Sequence, residues 1–153
     1  MTRIRLPFLL LLLAATLTAF GRIALPPRNE TVDQLIARAE TARPEERPSL
    51  YIEIARQKAD AADKLYYANK PEAAAAVLQD VVTYSKKATD ASIATGKRLK
   101  NNEIILRKMA EKFRDIKRTV AFDDQEPIQR TVDELEKMRT DLLSAMFGKK
   151  KSP

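Results

Sequence analysis

Two apolar stripes of similar length, separated by five polar or proline positions, constrain this chain more than any other feature. In the first, Leu106, Met109, Phe113, Ile116 and Val120 recur at spacings of 3, 4, 3 and 4, with Leu99 upstream. In the second, Ile128, Val132, Leu135, Met138, Leu142 and Met146 recur at 4, 3, 3, 4 and 4. Each spacing keeps the apolar side chains on one side of an α-helix. Between them lies Asp123–Pro127. Two such stripes joined by a short polar turn pack antiparallel. Asn101 or Asn102 is expected to cap the first arm, because a short amide accepts a free N–H of the first turn. Pro127 is expected at the first position of the second arm, with Asp124 or Glu126 capping it. Gly148 is expected to end it in the left-handed conformation.

The upstream segments read as shorter helices. Thr31 to Gln34 has the form of a capping box, in which two side chains satisfy two orphan N–H groups. It opens a helix over about 31–42 with Val32, Leu35, Ile36 and Ala39 inward. Arg43–Pro48 breaks it. Ser49 is expected to cap a second helix over 49–68, with Tyr51 or Ile52, Ala55, Ala59, Ala62 and Tyr66 inward. Pro71 starts a third over 71–96, carrying Ala74, Val77, Leu78, Val81, Tyr84, Ala88 and Ala91. A break between Gly96 and Asn102 separates it from the arms, at 102–121 and 127–147. Only 3 glycines in 153 residues, with abundant Ala, Leu, Lys, Arg and Glu, favour helix over sheet. The expected fold is all-α: a helical bundle or short solenoid ending in a long antiparallel hairpin.

Met1–Gly21 has the layout of an export signal. Arg3 and Arg5 precede the apolar run Leu6–Leu17, and Ala19-Phe20-Gly21 puts small residues at −3 and −1 of a cleavage site. The run is shorter than the ~20 residues of a spanning helix, so cleavage after Gly21 is expected rather than a retained anchor. No Cys follows it, which closes the lipoprotein route. The expected location is periplasmic or secreted. Residues 22–30, with Pro26-Pro27, form an extended leader. Residues 148–153 form a basic tail expected to be disordered.

At Ala62, Leu65, Tyr66, Asn69, Ala74, Leu78 and Val81 the spacing resembles one unit of a tetratricopeptide hairpin, in which small residues meet across two helices and a turn residue lies between. The tryptophan-like and glycine positions of that family are missing, and no second copy follows at its period. The resemblance implies a helical protein-interaction scaffold and brings no enzymatic residues. Any alanine-rich antiparallel pair shares this spacing.

The chemistry is mostly one of exclusion. Without His or Cys the chain lacks the commonest general base, the commonest metal ligand and any thiol. No Gly-x-Ser-x-Gly or Ser-x-x-Lys motif occurs, and no cofactor or metal set is found. Asp123, Asp124 and Glu126 lack the spacing of a calcium loop. An enzyme is not expected. The first arm is basic: Lys97, Arg98, Lys100, Arg107, Lys108, Lys112, Arg114, Lys117 and Arg118 stand against Glu103, Glu111 and Asp115. Lys100, Arg107 and Arg114 repeat every seven residues and share one side, with Lys117 and Arg118 beyond them. Such a face suits nucleic acid, acidic lipid headgroups, an anionic polymer or an acidic protein. Export makes nucleic acid the weakest of these partners. The competing reading is a solvated face with ion pairs to Glu134, Glu136 and Asp141. Tyr67 is the tyrosine left over for a binding groove once Tyr66 and Tyr84 enter the core. The long stripes also allow self-association. The leading expectation is an envelope scaffold or adaptor, and the alternative is an electrostatic binder of anionic polymer or lipid.

Overall fold

Apolar faces at helical period can be satisfied only against one another, and in the computed structural model five helices do so. The structure describes residues 30–148; the signal segment, most of the leader and the lysine tail lie outside them. The helices are α1 (Val32–Thr41), α2 (Arg47–Tyr67), α3 (Pro71–Thr95), α4 (Leu99–Lys117) and α5 (Gln125–Phe147). A 3₁₀ turn at Phe122–Asp124 leads into α5. No strand occurs among the described residues. The fold is all-α and bundle-like.

The main core joins α2, α3, α4 and α5. Ala55, Ala59 and Ala62 of α2 meet Ala74, Leu78 and Val81 of α3, small side chains that let the two backbones approach. Leu106, Met109 and Phe113 of α4 and Ile128, Val132, Leu135, Met138 and Leu142 of α5 complete it. A smaller cluster of Leu35, Ala39, Leu50 and Ile54 fastens α1 to the first half of α2. Tyr66 belongs to the main core, whereas Tyr84 is half-buried. Tyr84 tilts against Tyr51 with ring centroids 6.4 Å apart. The Lys87 ammonium lies 5.0 Å above the Tyr84 ring centroid.

The termini explain why the chain turns where it does. Thr31 Oγ1 accepts from Gln34 N at 3.3 Å and Gln34 Oε1 accepts from Thr31 N at 3.0 Å, a complete capping box on α1. Gly96 ends α3 at φ 68°, where a Cβ would be strained. Arg98 then holds the same left-handed region at φ 60° as the residue preceding α4.

Several expected caps are elsewhere. Neither Asn101 nor Asn102 caps α4, which starts at Leu99; Asn102 is fully buried inside it. Ser49 does not cap α2, which starts two residues earlier at Arg47. Pro48 sits in that first turn, where its missing N–H leaves no bond unmade. The start of α5 at Gln125 puts Pro127 at the third position of the first turn, two steps further in than expected. Asp124 occupies the cap position without a side-chain cap bond, and Glu126 lies within the helix. Gly148 is not left-handed, with φ −58°. Its requirement for glycine is steric, because a Cβ would strike the Ser144 carbonyl oxygen.

Candidate functional site

The basic arm divides into two halves with different neighbours. In the second half of α4 the cations are engaged. Lys112 Nζ reaches Asp60 Oδ1 at 2.6 Å and Asp63 Oδ2 at 3.5 Å on α2. Those contacts hold the ammonium above the ordinary lysine range, with the Asp60 hydrogen bond the largest cause and burial opposing it. Arg114 Nη2 donates to Glu136 Oε1 at 2.8 Å, and Lys117 Nζ donates to Gln129 Oε1 at 2.7 Å. Arg118 pairs with Asp115 at 2.9 Å within its own helix.

Glu136 extends this into a seam. Its other oxygen accepts from Arg139 Nη1 at 3.1 Å, and Arg139 Nε donates to Glu103 Oε1 at 2.5 Å. Glu103, Arg139, Glu136 and Arg114 thus alternate in sign across α4 and α5. Glu103 is only 9 % exposed, and Arg139 is its ion-pair partner. Of the expected partners of the basic face, only Glu136 forms an ion pair with it. Glu134 and Asp141 are exposed and make none among the described residues, because they lie on the flank of α5 away from the Arg114 seam.

Burial pushes the Glu136 carboxyl up, but hydrogen bonds from Arg114 and Arg139 outweigh it and hold it below the usual carboxylate range. Arg56 does the same for Glu53, against opposing burial. Their stabilisation is present above the unfolded carboxylate value of about 4.3 and is lost as pH falls through the lower folded values. With no histidine or cysteine, no side chain of ordinary pKa titrates between about pH 5 and 8. The urea midpoint is therefore expected to stay flat over about pH 5.5–8 and to fall below about pH 4. A midpoint that moved between pH 6 and 7 would contradict this account.

In the first half the cations are unengaged. Lys97, Arg98, Lys100, Arg107 and Lys108 form no ion pair among the described residues, and all five are exposed. Lys97, Arg98 and Lys100 gather at the α3–α4 turn. The antiparallel register set by Arg114–Glu136 and Glu103–Arg139 brings the end of α5 to the same end of the bundle. Exposed Phe147 closes α5 there, and half-exposed Ile93 is in the last turns of α3. Of the expected face, Lys100 and Arg107 belong to this open cluster. Arg114, Lys117 and Arg118 are committed to neighbours. Lys97, Arg98 and Lys108, which the sequence already places in the basic arm, complete the cluster.

Tyr67 is 95 % exposed and stands at the opposite end, at the α2–α3 turn. With Tyr66, Asn69, Ala121 and Asp124 it edges a cleft of about 200 Å³ where the α2–α3 and α4–α5 turns meet. Among the described residues, no helix is long and apolar enough to cross a membrane and no three acidic side chains are grouped to hold a metal ion. No protein-family model, curated protein or solved structure matches the chain.

Proposed function

We propose that this protein is a non-enzymatic helical adaptor of the bacterial envelope, which holds an acidic partner protein through the cationic end of its bundle. The observation that supports this most is the separation of charge along α4. Lys97, Arg98, Lys100, Arg107 and Lys108 have no ion partner among the described residues, while Lys112, Arg114 and Arg118 do. A cluster of unpaired cations on a rigid helix end retains its charge for a partner and steers it over about a Debye length. The export pattern of Met1–Gly21 supports the location, and the small packing residues of α2 and α3 support a scaffold rather than a site of chemistry.

A second reading is favoured by one observation of its own. Phe147 and Ile93 are exposed at the same end of the bundle, and the sequence continues from Gly148 into Lys149-Lys150-Lys151. Apolar side chains among lysines suit anionic lipid headgroups.

The test compares the protein with a variant reversed at Lys97, Arg98, Lys100 and Arg107 to Glu. Each is offered an acidic polypeptide and phosphatidylglycerol vesicles as salt rises. Binding through these cations is expected to weaken steeply from 0.01 to 0.15 M salt, as the Debye length shrinks from about 30 to about 8 Å. The reversed variant is expected to lose at least about tenfold, since each 1.4 kcal/mol is a factor of ten. Preference for the polypeptide supports the adaptor; preference for vesicles supports the second reading. Binding that survives both salt and charge reversal would sink the cationic end as the site.

A further inference from the structure

The end opposite the cations has the opposite character. Where the α2–α3 turn meets the α4–α5 turn, the cleft of about 200 Å³ is lined by two carboxylates, Asp63 and Asp124, and by no cationic side chain. Asp63 is shared with Lys112 at 3.5 Å, whereas Asp124 is half-buried and makes no ion pair among the described residues. Tyr66 lines the same cleft. It is 9 % exposed, and its hydroxyl is buried with no hydrogen-bond partner. Burial, and then the nearby Asp124 charge, raise that phenol above its ordinary value, so the oxygen stays protonated and neutral at any physiological pH. Tyr67 lies at the rim with its ring open to solvent.

A neutral hydroxyl can both donate and accept, and a buried one without a partner is costly to leave so. Asp124, which has no ion pair among the described residues, sets a negative potential in a concave site, with Asp63 beside it shared with Lys112. An aromatic ring at the rim adds attraction for a cation over its face. The space exceeds what one water needs and suits a short alkyl chain. An anion would meet two like charges, and a purely apolar group would leave the hydroxyl and carboxylates without partners.

The geometry points to a binding site for a primary alkylammonium group, of the kind a lysine side chain presents, between Asp124, Asp63 and the Tyr66 hydroxyl. The ammonium lies toward the carboxylates and donates a hydrogen bond to the phenol oxygen, and its methylene stem runs along Tyr67. This site is independent of the cationic end.

The experiment is an NMR titration of the ¹⁵N-labelled protein with n-butylammonium chloride, against n-butanol at matched ionic strength. Saturable shifts at Asn69, Thr119 and Ala121 are expected with the ammonium and not with the alcohol. Asp124→Asn is expected to weaken binding about tenfold and Tyr66→Phe about fivefold, the loss of a charge-assisted and of a neutral contact. Asp123→Asn, exposed and outside the cleft, is expected to leave it unchanged. Tyr66→Phe removes an unsatisfied hydroxyl and is expected to fold with an unchanged or higher melting temperature, so its weaker binding is not a folding defect. Tighter binding of N-acetyl-lysine methylamide than of butylammonium assigns the site to peptides, and the reverse to free amines. The proposal is overturned if butanol shifts the same amides equally, if the ammonium shifts grow linearly at carboxylates all over the surface, or if Asp124→Asn binds as well as the parent.

Discussion

Phe113→Ala is expected to remove about 3–5 kcal/mol of folding free energy, the usual cost of deleting a buried aromatic and leaving its cavity. Phe113 is 0 % exposed and is the largest fully buried side chain. It belongs to the core that joins α4 to α2, α3 and α5, so several helices must shift to close the space. A domain of this size has about 5–15 kcal/mol in all, and the variant is expected to be partly unfolded near body temperature. Urea denaturation followed by circular dichroism checks it: the midpoint falls while the slope stays constant, the signature of lost stability without a changed native surface. Phe122→Ala is the internal contrast. That ring is 85 % exposed in the 3₁₀ turn, and its loss is expected to stay within about 0.5 kcal/mol. Equal losses at the two positions would mean that the helices are packed differently.

The same contrast separates what was legible in the sequence from what was not. Leu106, Met109, Phe113 and Ile116, like Ile128, Val132, Leu135, Met138 and Leu142, fall at one period, and all are buried. Periodicity is local, so one chain segment carries the whole signal. Helix starts were less legible, because a start is chosen by competition between neighbouring caps and by what the first turn packs on. Asn102 has the side chain of a good cap, yet Pro48 and Ser92, 54 and 10 residues away, claim it for the interior. Ion pairing was the least legible. A stripe shows which residues flank it, not which flank meets which neighbour. Glu136 and Glu134 flank the same α5 stripe, and only the handed packing of α4 selects Glu136 for Arg114. Lys112 finds Asp60 about fifty positions upstream, on a helix the hairpin alone does not predict. The open cluster at Lys97–Lys108 therefore emerges by subtraction, once these long-range pairs are known. The Tyr66 cleft is harder still to foresee, since it is made by two turns distant in sequence.

Asn102→Ala is expected to cost about 2–3 kcal/mol, the second large effect, and its origin differs from that of Phe113. Asn102 Nδ2 donates to the Pro48 carbonyl at 3.3 Å and to Ser92 Oγ at 2.9 Å, so one amide ties the first turn of α4 to α2 and to α3. Pro48 has its carbonyl near the start of α2, and Ser92 is fully buried near the end of α3. Truncation leaves both acceptors away from water without this donor, and a buried unsatisfied group costs about 1–3 kcal/mol. The asymmetry of that cost makes the account testable. Replacing donor and acceptor together by apolar groups of similar shape removes the need as well as the bond. The double variant Asn102→Leu with Ser92→Ala is therefore expected to lose less than the sum of Asn102→Leu and Ser92→Ala measured singly. The Asn102 Oδ1 atom is itself buried without a partner, which adds to the expected recovery in the leucine background. Strict additivity in the four-member cycle would show that the bond to Ser92 contributes nothing, leaving the Pro48 bond and the side-chain volume as the source of the loss. A coupling of about 1 kcal/mol would identify the amide as the polar pin between α2, α3 and α4.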